Sequence, residues 1–198
     1  MNRSQAARLS AVALLVFACA LFALAARWPG YSHLAHPVAL PGAAGLPGAL
    51  LFDAMAFVLP GTSILLVAWW LRSQVADAGW GPRIGAALLA LSALAFIAQG
   101  LLPLDPDDLD GGGSRLHAAA WTAWLIAFTV GAPAYAWALR DARTAALVLA
   151  WLVPLLALFG AAFLPEGVAQ RLAFVAWFAW FWWVPARGFV REAAMRPG

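Results

Sequence analysis

Apolar residues gather into six long blocks along the chain, at about residues 9–26, 49–71, 84–102, 116–139, 145–164 and 171–187. Short stretches rich in Gly, Pro, Arg or Asp separate them. Each block is close to the ~20 residues that cross a bilayer as an α-helix at about 1.5 Å per residue. A membrane β-barrel needs strands that alternate apolar and polar positions. Ala86-Ala87-Leu88-Leu89-Ala90-Leu91 is apolar at every position and fits no such strand. The pattern predicts an all-α fold: one polytopic domain over 1–198 with six transmembrane helices.

Composition sharpens this picture. The chain is 65% hydrophobic and 11% charged, against about 45–50% and about 25% for soluble domains. A core of this length could not hide so much apolar side chain, so lipid is the expected solvent. All 12 basic side chains are Arg. Arg3, Arg8, Arg72, Arg83, Arg140, Arg143, Arg187, Arg191 and Arg196 lie on one side of the predicted topology; Arg27, Arg115 and Arg171 lie on the other. The positive-inside rule then puts both termini in the cytoplasm and makes the helices three outward-pointing hairpins. The expected location is a bacterial inner (plasma) membrane. Trp28, Trp69, Trp70, Trp80 and Trp183 fall near block ends, where indoles anchor at the interface. No basic patch interleaves with exposed aromatics, so nucleic acid is excluded as a partner and membrane lipid is the expected one.

The first block also has the look of a leader: Arg3 and Arg8 precede it, and Ala23-Leu24-Ala25 resembles a cleavage site. Its length, and the five spans its removal would leave, favour retention. Cys19 is the single cysteine, which excludes an internal disulfide and reads as a small core residue.

Two segments repeat at one spacing. Arg115-Leu116, Trp121 and Trp124 recur as Arg171-Leu172, Trp177 and Trp180, each after a Leu-Pro step. A duplicated hairpin would explain this, and it makes the shared Arg and Trp structural. What only one copy has is His117, where the other has Ala173, and a cluster of four carboxylates: Asp105, Asp107, Asp108 and Asp110. Pro60, Pro133 and Pro154 sit inside predicted spans and each removes a backbone hydrogen bond. The Thr62 and Ser63 hydroxyls are placed to satisfy carbonyls that Pro60 frees.

The candidate chemistry lies on the outward side. Asp53 sits about five residues inside the second span, where an ionisable group must pair, stay protonated or face water. Gln99 is about one turn from the outer end of the third span and is a candidate partner for Asp53. Ser114 follows Gly111-Gly112-Gly113 and reads as an N-cap, which puts His117 in the first helical turn, where the dipole favours a neutral ring. His33 and His36 share a face if residues 31–36 form a helical turn. The acidic loop fails as a calcium loop, since Pro106 and His117 fall at positions that need acids. Asp107, Asp108 and Asp110 read as a solvated turn, and Asp105, at the membrane edge, as the exception.

Several motifs together carry a family resemblance: His36-Pro37-Val38-Ala39-Leu40, an intramembrane acid or amide at position 53, Phe57-Val58-Leu59-Pro60-Gly61, and Pro103 to Asp105 followed by Arg115-Leu116-His117. On these the chain resembles the bacterial and archaeal membrane proteins of domain of unknown function 998. The resemblance implies six spans with an outward site, and that Asn is common at position 53. It implies no activity.

The residues then lead to a site of Asp53, Gln99, Asp105 and His117, with His36 as a fifth member. Asp53, Asp105 and His117 are the expected acid–base or catalytic groups. Asp105, His117 and His36 are the candidate ligands of a divalent metal ion. Such a site would bind a divalent cation or a lipid head group, and could serve metal-assisted hydrolysis of a lipid. The alternatives are a small proton-coupled transporter or channel subunit that uses Asp53 as its proton site, and a structural or accessory protein whose polar layer fixes helix packing.

Overall fold

The computed structural model describes residues 1–188, which leaves Arg191 and Arg196 outside the described residues. It is helical throughout, with no strand among those residues. The helices are α1 Arg3–Cys19, α2 Ala49–Asp53, α3 Leu59–Gln74, α4 Trp80–Leu101, α5 Gly112–Ala136, α6 Arg143–Phe159 and α7 Glu166–Arg187. A capping box starts α1 well before its apolar block: Gln5 N–H donates to the Asn2 side chain at 2.9 Å, and Asn2 N–H to the Gln5 side chain at 2.8 Å.

Two spans contain a π-helical turn. Ala20–Leu24 follows α1, and Ala54–Val58 joins α2 to α3 into one continuous helix, Ala49–Gln74. The second turn begins directly after Asp53, and it delivers the chain to Pro60, whose missing N–H the wider turn accommodates. The expected hydroxyl relay takes a different form. Thr62 Oγ1 donates to Val58 O at 2.7 Å and Ser63 Oγ to Leu59 O at 3.0 Å. Each hydroxyl bonds the carbonyl four residues back in its own helix, so neither takes Ala56 O, the carbonyl that Pro60 cannot reach.

Among the described residues four helical stretches are long and apolar enough to cross a membrane: Arg3–Arg27, Ala49–Gln74, Trp80–Leu101 and Arg143–Ala162. α5 has 25 residues and α7 has 22, so both match them in length. The exterior is greasy: Leu15, Leu66, Leu94, Ile126, Val148 and Leu158 all stand exposed. Water would penalise such a belt, whereas lipid solvates it.

Inside, aromatic rings fill the centre. Phe17, Phe57, Phe96, Trp124, Phe174, Trp177 and Phe178 are fully enclosed, with Phe96 stacked on Trp177 at 4.7 Å. α4 packs most closely on α5. Gly85 and Gly131 make this possible: a Cβ on Gly85 would lie 2.8 Å from Gly131 O, and one on Gly131 3.0 Å from Gly85 O. Ser92 Oγ accepts the Trp177 indole N–H at 3.1 Å and donates to Trp124 O at 3.2 Å.

The inter-helix connections meet in two groups. At one end, Ala44 N–H donates to Leu104 O at 2.8 Å and Gly167 N–H to Leu34 O at 3.0 Å. At the other, Arg3 Nε donates to Pro185 O at 3.2 Å, and Tyr135 OH to Leu71 O at 3.2 Å. The first group contains the predicted polar site.

Candidate functional site

The polar layer is built where α2, the end of α4 and the start of α5 meet the segment from Trp28 to Gly48. Asp53 closes α2, is 5% exposed, and makes no side-chain hydrogen bond or ion pair among the described residues. Its carboxyl lies directly on Gly42, in the short 3-10 turn Leu40–Gly42: a Cβ there would fall 1.8 Å from Asp53 Oδ1 and 2.6 Å from its Cγ. Gly100 of α4 packs beside the same residue, since a Cβ on it would meet Asp53 O at 3.0 Å and Phe57 Cβ at 2.7 Å. Two glycines therefore bring the loop and α4 against Asp53.

The expected hydrogen bond from Asp53 to Gln99 does not form. Gln99 is 2% exposed, and its Nε2 has no partner among the described residues. Its backbone does enter the site. His117 Nδ1 lies 3.1 Å from Gln99 O and 2.9 Å from Leu102 O. Carbonyls only accept, so this geometry assigns the hydrogen to Nδ1 and leaves Nε2 with the lone pair in the neutral ring. The histidine so staples the second turn of α5 to the end of α4.

The start of α5 corrects the sequence reading. Gly111 is the N-cap, and Ser114 is the third helical residue. The Ser114 hydroxyl accepts from Asp105 N–H at 3.0 Å and reaches Asp105 O at 3.0 Å and Asp108 O at 2.9 Å. It organises the acidic loop instead of capping, because the loop folds back over the first turn. His117 accordingly lies beyond that turn, and the carbonyl end of α4 fixes its ring. The Asp105 carboxylate accepts from Asp107 N–H at 3.0 Å, an Asx turn that closes the loop upon itself.

His36 belongs to a second cluster around Arg171 of α7. The expected helical turn forms, with His36 N–H donating to Ser32 O at 2.9 Å. Its ring Nδ1 accepts from Ser32 N–H at 3.0 Å. Arg171, 8% exposed, donates to His36 O at 3.0 Å, to Gly167 O at 2.6 Å and to the Tyr31 hydroxyl. Tyr31 passes its own hydrogen to Pro37 O at 3.2 Å, and Val38 N–H donates to Gln170 Oε1 at 2.8 Å. Burial raises the Tyr31 hydroxyl pKa, which Arg171 partly offsets. Burial, and then the nearby Arg171 charge, lower the pKa of His33.

The predicted residues thus separate. Asp53, Gln99 and His117 share the layer at the end of α4. Asp105 shapes its own loop, and His36 is held in the Arg171 cluster. Among the described residues, no three of His, Cys, Asp or Glu come together as a metal ion would need. Gly42, Tyr31 and Gln170 carry no signal of their own in the sequence, because each acts through a partner from another part of the chain, and Ser114 stands out there only as a cap. It did separate Arg171 from chemistry: that side chain is a clasp. Its repeat counterpart Arg115 is exposed.

No curated protein and no solved structure matches the chain. The family described as "Protein of unknown function (DUF998)" matches residues 11–186. Because that match covers nearly the whole bundle, α1 through α7, the chain belongs to the DUF998 family.

Proposed function

We propose that this chain is a six-span protein of the bacterial inner membrane, with cytoplasmic termini, that binds the polar head group of a membrane lipid at its outer end through Asp53, Gln99 and His117. The observation that carries the reading is Asp53, a carboxyl enclosed within a span and given no partner among the described residues. Such a group keeps a proton or draws its partner from a ligand. Among the described residues the Gln99 amide nitrogen and the Trp121 and Trp124 indole nitrogens lack acceptors as well. His117, Trp121 and Trp124 follow one another at i, i+4 and i+7 along α5. A head group with hydroxyl or ammonium donors and ester oxygens complements this set: the carboxyl and His117 Nε2 accept, and the amide donates. A cavity of about 520 Å³ adjoins the layer, lined by Pro41 and Phe52, the chain neighbours of Gly42 and Asp53, together with Arg27 and Trp28.

One turn from Asp53, Phe57 enters the closed aromatic core with Phe96 and Phe174. That favours a site sealed on its inner side over a conduit, since a transporter would have to move these rings together. Among the described residues no three His, Cys, Asp or Glu side chains gather, which favours the head-group reading over a divalent cation.

Thermal unfolding of purified protein with glycerol-, ethanolamine- and sugar-headed lipids tests the proposal. One class should stabilise the wild type and leave Asp53→Leu and Gln99→Leu unmoved. If no class discriminates wild type from both variants, the head-group site is wrong. Proton-driven uptake that is lost in Asp53→Asn but kept in His117→Ala would install the transporter reading in its place. For the topology, reporter fusions after residues 76 and 142 should read cytoplasmic and those at 110 and 167 external.

A further inference from the structure

A groove of about 400 Å³ opens at the opposite end of the bundle, between the end of α3 and the start of α4. Trp69, Arg72, Ser73, Ala76, Trp80 and Arg83 line it, and Ile84 and Ala87 continue it along α4. Two guanidinium groups share this space. Arg72 lies over the Trp69 ring at 5.9 Å and Arg83 over the Trp80 ring at 5.2 Å. Neither pairs with a carboxylate among the described residues, and Asp77 in the intervening turn is not part of the lining. Like charges in one groove repel, and an anion between them would turn that repulsion into attraction. No side chain caps the start of α4, whose dipole adds a positive field on the same side.

The groove is also built for more than an ion. Trp69, Trp80 and Ile84 are exposed. They form an apolar wall that leads away from the arginines along a membrane-crossing helix. Indoles hold both cations at the interface level, where lipid phosphates lie. We propose that this groove binds an anionic phospholipid, with its phosphate between Arg72 and Arg83 and its acyl chains along Ile84 and Ala87. By the positive-inside assignment this is the cytoplasmic leaflet, where basic pockets between spans meet acidic head groups. The site is independent of the outer one.

Native mass spectrometry of the full-length chain, incubated with phosphatidylglycerol, phosphatidylcholine or inorganic phosphate, tests it. A juxtamembrane arginine contributes about fivefold in affinity for acidic lipid. Wild type should retain phosphatidylglycerol, and Arg72→Gln/Arg83→Gln should retain about 25-fold less, from two such factors. Arg143→Gln is the control, because Arg143 lies over Trp137 at 5.2 Å but borders no part of this groove; it should bind as wild type. Arg72→Lys/Arg83→Lys should recover binding, which separates lost charge from misfolding. Equal retention of phosphatidylcholine, equal loss in Arg143→Gln, or displacement of the lipid by an equal concentration of inorganic phosphate would each overturn the proposal.

Discussion

Replacing Gly42 with Ala probes the polar layer around Asp53 through a single methyl group. The new Cβ would stand 1.8 Å from Asp53 Oδ1, 2.6 Å from its Cγ and 3.0 Å from Oδ2, against an ordinary contact of 3.4 Å or more. The nearest oxygen must therefore retreat by about 1.6 Å, the difference between 3.4 and 1.8. Because Cγ is also too close, rotating the carboxyl about its own axis does not suffice; the whole group has to leave. Overpacking of this kind costs about 1–3 kcal/mol. For a chain of this length that lowers the melting temperature by about 2–12 °C, at roughly 2–4 °C per kcal/mol. The sign is informative as well. Gly42 does not have a positive φ, and Gly→Ala at a compatible position stabilises by about 0.4–1 kcal/mol through the unfolded chain. In an Asp53→Ala background, where the clash is gone, Gly42→Ala should therefore stabilise. The assay is thermal unfolding of the four proteins of this double-mutant cycle in one detergent. A coupling below about 0.5 kcal/mol, within ordinary additivity, would refute the packing of the carboxyl on Gly42.

The remaining predictions concern the staple, the clasp and pH. His117→Ala strands two carbonyls at the end of α4 and should cost about 1–3 kcal/mol by the same unfolding assay, while His117→Gln, which can still donate, should lose less. Arg171→Leu releases three hydrogen-bonded partners at once and should expose residues 28–38 to limited proteolysis, with Arg171→Lys only partly protecting because it lacks the planar fork. His33 has a lowered folded pKa, so the unfolded chain binds its proton first as pH falls. Its contribution is intact above the ordinary value of 6.5 and declines below it, and His33→Gln should flatten the loss of melting temperature between about pH 7 and pH 5.

The second helical stretch shows how much of the fold is legible in sequence. An apolar block at about 49–71 became one helix over Ala49–Gln74, with Asp53 one turn inside its N-terminal end. Apolar length is a local property, so sequence carries it. The π turn after Asp53 was not legible, because a wider turn depends on what packs across it. The same division runs through the site. Asp53, Gln99 and His117 announce themselves as polar residues at span ends. The residues that define their surroundings do not: Gly42 matters only because a loop folds onto α2, and Ser114 looks like a cap until the acidic loop closes over it. His36 and His117 resemble ligands of one centre by residue type, yet different helices hold them through backbone carbonyls.

Ser92 bears on the order of assembly. One oxygen receives an indole hydrogen from α7 and gives its own to α5, while sitting on α4. Helix pairs enter a bilayer before they associate laterally, and α4 and α5 emerge from the ribosome well ahead of α7. The hydroxyl can bond Trp124 O as soon as that pair forms, but its lone pair then waits within the membrane for Trp177. A nascent chain stopped before residue 166 would hold an incomplete polar node at its centre. Of these helices the latest to be synthesised, α7, is therefore the one that completes the polar node at the middle of the bundle.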